Sequence, residues 1–321
     1  MLAKLGWGLF VVSLGLNVFF WFGQKNTKII NVADTGKTEG DINSFIFLSP
    51  RIFAQQQNDI LINFINLRDK LKAATESASQ GERLGLYFEY LPSGVSIGAN
   101  EKENFVLASL LKVPLVIGVY KQIAQGQLIE DTVLEVKEKN IDPDFGNLWK
   151  RGAGKKLTVK EAIWLTLTES DNTAKSVLWD QVPEGAMEHV FDSLDIPKER
   201  DEVGGAVVTP KNYASILKSL YFSSYLDKEY SNLILEQLTK TKFGDKLAAG
   251  IPAGVNVAHK IGVYSPGNPA SSIYTDCGIV YVPKRPFLLC LMARTDEDKA
   301  RQWMRGVAQQ AYEYVATANP E

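Results

Sequence analysis

The chain of 321 residues is poor in the residue types from which most metal centres and many catalytic triads are built, with two cysteines, Cys277 and Cys290, and two histidines, His189 and His259. A four-thiolate zinc site is excluded, and a Ser-His-Asp hydrolase would have to use one of those two imidazoles. An excess of one charge is lacking too. The 35 Lys and Arg against 37 Asp and Glu leave a net −2, so there is no global basic field with which to hold nucleic acid. Apolar residues make up 45% and charged ones 22%, which is the composition of a folding chain and not of a disordered, collagen-like or disulfide-scaffold one. The length alone suggests about two domains of roughly 150 residues.

Much of the apolar content sits at the amino terminus. From Leu5 to Gly23 no residue is charged, and Lys4, Lys25 and Lys28 flank the stretch. That length crosses about 30 Å of hydrocarbon as a helix. It exceeds the core of a secretory signal, and no small-x-small site follows at Gly23-Gln24-Lys25, so residues 1–24 read as an uncleaved transmembrane anchor. The flanking lysines are nearly balanced and leave its orientation open. Residues 25–57 are polar and patternless and read as a linker, with the folded domain expected over 58–318.

In the body, apolar spacings of three and four from Asn58 mark an amphipathic helix. GLYFEYLPSGVSIGAN reads as a hairpin. Residues 105 to about 240 are helical in character, with a Thr158 to Glu161 capping box. Near the end, NVAHKIGVY, YTDCGIVYV and PFLLCLMA are strand candidates. A final helix would lay a stripe of Trp303, Val307, Ala311 and Tyr314 on them. Strands from both ends of the chain with a helical block between them suggest an α+β fold around one sheet. Cys277 and Cys290 flank the last hairpin turn, where a disulfide depends on a register the sequence leaves open.

Three short motifs carry chemistry. In Ser109-Leu110-Leu111-Lys112 the lysine shares a helix face with the serine. In an apolar setting its amine loses basicity and can take the serine proton. Pro114 fits only near a helix start, which puts Ser109 at a helix N-terminus. The same spacing recurs at Ser215 and Lys218, where it marks only an amphipathic helix. Ser170-Asp171-Asn172 suits a helix junction as caps. It also offers a hydroxyl to relay a proton and an amide to grip a substrate amide. In Lys260-Ile261-Gly262 a strand can line a cleft, the lysine supplying charge and the glycine permitting close backbone approach.

In this order the three motifs resemble the active-site set of the serine β-lactamases and penicillin-binding proteins. The flanks ASLLKVPL, TVKEAIWLTLTESDNTA and IPAGVNVAHKIG are similar to those of the class A β-lactamase-like group, over residues 58–316. The resemblance implies a helical subdomain beside a five-stranded antiparallel sheet backed by helices, with the site between them. It also implies that Ser109 forms an acyl-enzyme with Lys112 as its base, Ser170 as the relay and Asn172 holding the substrate amide. Lys260 would attract a carboxylate, Gly262 would lie against the substrate, and the N–H groups of Ser109 and Val263 would bind the oxyanion. No cofactor or metal is implied.

Two departures qualify the resemblance. No Glu-x-x-Leu-Asn loop lies between Asn172 and Lys260, and Glu202, in Arg200-Asp201-Glu202, is the nearest approach to its deacylating base. Without such a base the acyl-enzyme should persist. Ile261 stands where the group usually has a hydroxyl that binds the substrate carboxylate, so Tyr264 or Ser265 takes over or the substrate is not a penicillin-like acid. His259 should point to the face opposite Lys260, and His189 gets no role. The expectation is a membrane-anchored serine acyl-transfer hydrolase on the extracytoplasmic side, acting on β-lactams or D-Ala-D-Ala-type peptidoglycan peptides. Its rivals are a lactamase using Glu202 and a penicillin-binding sensor or pseudoenzyme without turnover.

Overall fold

A computed structural model describes Phe47, residues 62–202 and residues 204–318. The expected anchor, 1–24, lies outside the described residues, as does the expected linker, 25–57, except for Phe47. Among the described residues no helix is long and apolar enough to cross a membrane. Phe47 is buried, its ring against Tyr281 and its amide donating to Asn232 Oδ1 at 3.3 Å. The stretch read as a free linker is tied to the body at that residue.

Helix α1 spans Ile65–Glu76, and Phe64 before it packs against Phe88 and Tyr90; residues 58–61 of the expected helix lie outside the described residues. Strands β1 (Arg83–Tyr90) and β2 (Val95–Ala99) form the expected hairpin. The short β3 (Phe105–Val106) leads to a single 3₁₀ turn, Ala108–Leu111, and helix α2 (Lys112–Ala124). Every residue from Lys112 to Tyr120 is buried, which is why that run is apolar all round.

The middle is less uniformly helical than its composition suggests. A small ladder of β4 (Val133–Glu135) and β5 (Lys156–Thr158) precedes α3 (Val159–Thr168) and α4 (Asn172–Trp179). Thr158 caps α3 by accepting from the Glu161 amide, but the return arm of a capping box goes elsewhere, since Glu161 pairs with Arg151 at 2.8 Å. After α5 (Ala186–Ser193), strands β6 (Glu199–Arg200) and β7 (Ala206–Val208) join β3 in a small sheet. Helices α6 (Pro210–Tyr221) and α7 (Lys228–Leu238) close the block.

The chain ends in β8 (Val257–Tyr264), β9 (Ile273–Val280), β10 (Phe287–Arg294) and α8 (Glu297–Thr317). The main sheet is five-stranded and antiparallel, in the order β2-β1-β10-β9-β8, so β8 is an edge. One face carries α1 and α8, the other the helical block, each over its own apolar cluster. Interior strands covered on both faces show continuous burial instead of alternation, as β9 does throughout. On α8 the buried row is Ala300, Met304, Val307, Ala308, Ala311 and Val315, with Trp303 and Tyr314 only at its margin.

Register resolves the cysteines. Cys277 lies opposite Cys290 on one side and opposite Lys260 on the other. Residues directly across an antiparallel ladder share a face, and the two cysteines are joined in a disulfide. Closing a loop of this size limits the unfolded chain by about 3 kcal/mol. Replacing both cysteines by alanine should lower the unfolding free energy by about 2–3 kcal/mol, measured by urea denaturation against the oxidised parent.

Candidate active site

Three elements meet at one end of α2. The 3₁₀ turn carrying Ser109 packs against β8, and Ala108, just before it, sits at φ 44. Ser170, at the junction of α3 and α4, sits at φ 54. For non-glycine residues this left-handed region costs about 1–3 kcal/mol; Ser170 is buried and Ala108 partly so.

Asp171, fully buried, organises the junction. Its carboxylate accepts from Ala174 N at 2.8 Å, capping α4, and from Asn147 N and Leu148 N at 2.7 and 2.8 Å. The loop 141–147 is thereby pulled over the site, and Asn172 N donates to Phe145 O at 3.0 Å. Gly146 permits this, since a Cβ there would lie 2.1 Å from Asp171 Oδ2.

The Lys112 side chain is the hub. Its Nζ lies 3.0 Å from Ser109 Oγ, 3.1 Å from Ser170 Oγ, 2.5 Å from Ser170 O and 2.7 Å from Asn172 Oδ1. Burial, then the neighbouring Lys260 and Lys175 charges, push its pKa down to about 6. Lys260 reaches Ser170 Oγ at 2.9 Å from the sheet side and is held down to about 7, chiefly by burial. The two serine hydroxyls and two amines thus form one connected chain, in which a largely neutral amine can accept a hydroxyl proton.

Gly262 is required by close approach. A Cβ on it would lie 2.6 Å from Thr275 Oγ1 and 3.4 Å from the Ser109 amide nitrogen. A cleft of about 310 Å³ opens here, with Ser109, Ser170 and Asn172 along it, the β8 run 261–265 on one side, and Asp144 and Phe145 on the other. Val263, expected to give an oxyanion donor, is in that run.

The structure brings together Ser109, Lys112, Ser170, Asn172, Lys260, Gly262 and Val263. It does not bring Glu202 to them. That residue is exposed on the turn between β6 and β7, which Asp201 closes through its backbone and through a 2.6 Å bond from Gly205 N to its carboxylate. Glu202 does not line the cleft. His259 faces away from Lys260, its Nδ1 2.7 Å from Asp276 Oδ1. Sequence reasoning missed Asp142, which accepts from Asn172 Nδ2 at 3.2 Å, and the cleft residues Asp144 and Phe145. The one local sign was the turn chemistry of Asp142-Pro143-Asp144.

The model of the β-lactamase enzyme family matches residues 66–315. The chain belongs to that family. Its relatives are serine hydrolases of the β-lactamase and penicillin-binding type. Among them, β-lactamase CARB-3 of Pseudomonas aeruginosa is 24% identical over 69% of this chain and 77% of its own length. The extended-spectrum β-lactamase PER-1 of the same organism is 26% identical over 67% and 77%. Of solved structures, PBP-A superposes with a TM-score of 0.70 at 20% identity, covering 79% of this chain and 98% of its own. A β-lactamase of Sphaerobacter thermophilus gives 0.70 at 21%, over 81% and 100%. The last two likenesses are of fold: a β-lactamase/transpeptidase-like α+β architecture.

Because Asp171 satisfies three backbone donors from full burial, Asp171→Ala should cost about 3–5 kcal/mol. Thermal unfolding would register the loss, and Asp171→Asn should recover part of it.

Proposed function

We propose that this family member is a membrane-anchored serine acyl-transfer hydrolase, acylated at Ser109 by β-lactams or by D-Ala-D-Ala-type peptidoglycan peptides, and slow to release the acyl group. The observation that carries the reading is the Lys112 amine, 3.0 Å from Ser109 Oγ and held near pKa 6. Lys112 takes the hydroxyl proton as Ser109 Oγ bonds to the carbonyl carbon. The developing oxyanion is held by the N–H groups of Ser109 and Val263. As the C–N bond breaks, the proton passes through Ser170 Oγ to the leaving nitrogen, with Lys260 fixing that hydroxyl, and Asn172 aligns the substrate amide.

Slow release is supported by the place of Glu202 outside the cleft, whose lining among the described residues includes no glutamate. A solved relative described as a PBP-A mutant in acyl-enzyme complex with penicillin G, with a TM-score of 0.70 at 21% identity, fits a lasting adduct. The extracytoplasmic side is supported by the Cys277–Cys290 disulfide, which oxidising compartments preserve, and the anchor by the uncharged stretch from Leu5 to Gly23.

A chase with fluorescent penicillin tests the reading. A label that persists for many minutes on the parent and is absent from folded Ser109→Ala is expected. Rapid loss with nitrocefin turnover would instead identify a lactamase, and absence of any label would sink acylation by this class. The acylation rate should also climb about eight- to tenfold between pH 5 and pH 7. A base with pKa about 6 is about one-tenth neutral at the lower pH and nine-tenths at the higher. A flat stopped-flow profile over that range would remove Lys112 from the base role.

A further inference from the structure

The orientation of the Asn172 amide decides whether Lys112 can act as a base. A neutral amine has two N–H bonds and one lone pair. Of the oxygens about Lys112 Nζ, the nearest are Ser170 O at 2.5 Å and Asn172 Oδ1 at 2.7 Å, while the Ser109 and Ser170 hydroxyls stand at 3.0 and 3.1 Å. A carbonyl oxygen only accepts, so Ser170 O takes one N–H and Asn172 Oδ1 the other. The lone pair is left to the serine hydroxyls, where Ser109 can give up its proton to it.

Asn172 could defeat this arrangement. The two ends of an amide are alike in shape, and a half turn about χ2 would bring Nδ2 to Lys112 in place of Oδ1. Its N–H would then occupy the lone pair that Ser109 needs. A neutral amine satisfies either end of the amide, one by donating and the other by accepting, so Lys112 does not by itself hold Asn172 in the useful orientation.

Asp142 does. Its Oδ1 accepts from Asn172 Nδ2 at 3.2 Å and from Asp144 N at 3.0 Å. An ionised carboxylate accepts and cannot donate, so a turned Asn172 would set oxygen against oxygen. The carboxylate is itself held in place through the backbone of its residue. Asp142 N donates to Thr173 Oγ1 at 3.0 Å, and Thr173 Oγ1 donates to Asp142 O at 3.2 Å. Thr173 follows Asn172 at the start of α4, so Asp142 is fixed to the same helical turn whose side chain it orients.

We propose that Asp142 is a positioning residue for general-base catalysis, holding Asn172 Nδ2 so that Oδ1 stays on Lys112 and the Lys112 lone pair stays on the Ser109 hydroxyl. The proposal rests on Ser109 being acylated with Lys112 as its base, as argued above. Asp142 is outside the cleft lining and acts through Asn172.

The rate constant for acylation at saturating benzylpenicillin tests this, followed on the full chain at pH 8 by rapid quench and intact-protein mass spectrometry. At that pH Lys112, with its pKa about 6, is neutral, and the upward pull of the Asp142 charge on that pKa does not enter. Asp142→Ala leaves the amide free to turn and is expected to lower the rate constant about tenfold. Asp142→Asn should recover most of it, to within about threefold of the parent, because the Asp144 N–H still selects an oxygen at that point. In the Asn172→Ala background, which has no amide to turn, adding Asp142→Ala should cost less than about twofold. Should Asp142→Ala fail to fold, Asp142→Leu takes its place with the same expectations. An equal loss in both backgrounds, an Asn variant as slow as the Ala variant, or an Ala variant as fast as the parent overturns the positioning role and leaves acylation intact. No adduct on the folded parent overturns acylation itself, and the positioning role with it.

Discussion

Removing the Lys112 amine from water is the constraint on which the site turns. An ammonium at that depth would lose hydration worth several kcal/mol, and the fold answers by letting the group lose its proton instead of supplying a carboxylate against it. The rest follows from that choice. Partners must be neutral oxygens, so two serines and an asparagine surround the amine. The second lysine must also be desolvated, or its full charge would sit beside the first. Asp171, the nearby acid, is turned away and spent on three backbone donors, which keeps it from competing for the proton.

Two positive-φ residues serve the same end. Ala108 and Ser170 hold the Ser109 and Ser170 hydroxyls on either side of one amine. Relaxing either would lengthen a bond in the chain. The strain is offset by packing around the fully buried start of α2, so the reactive geometry is maintained by the core and not by the ligand.

Much of this was legible in the sequence because it lies in short range. Ser109 and Lys112 are three residues apart, Pro114 marks the helix start, and the three terminal strands announce themselves as apolar runs. What was hidden depended on distant pairing. The loop 141–147 reaches the cleft only because Asp171 draws its amides inward, an effect no local pattern encodes. Asp276 becomes the neighbour of Ile261 only through register, which a one-residue slip would reverse. Phe47 looked like tether because the short apolar run Phe45-Ile46-Phe47-Leu48 has neither the length nor the periodicity of an element.

The sheet drawn from both ends of the chain has a bearing on when the protein becomes reactive. Lys112 and Ser170 are separated by 58 residues, and Ser170 and Lys260 by 90. Folding must close those long loops before the amines are desolvated. In the unfolded chain Lys112 is a hydrated ammonium and Ser109 an ordinary alcohol. The nascent chain is therefore chemically silent, and nucleophilicity arrives late, as a property of the completed fold. An unfolded chain has the serine and the lysines but not the desolvated amine that would activate one for the other.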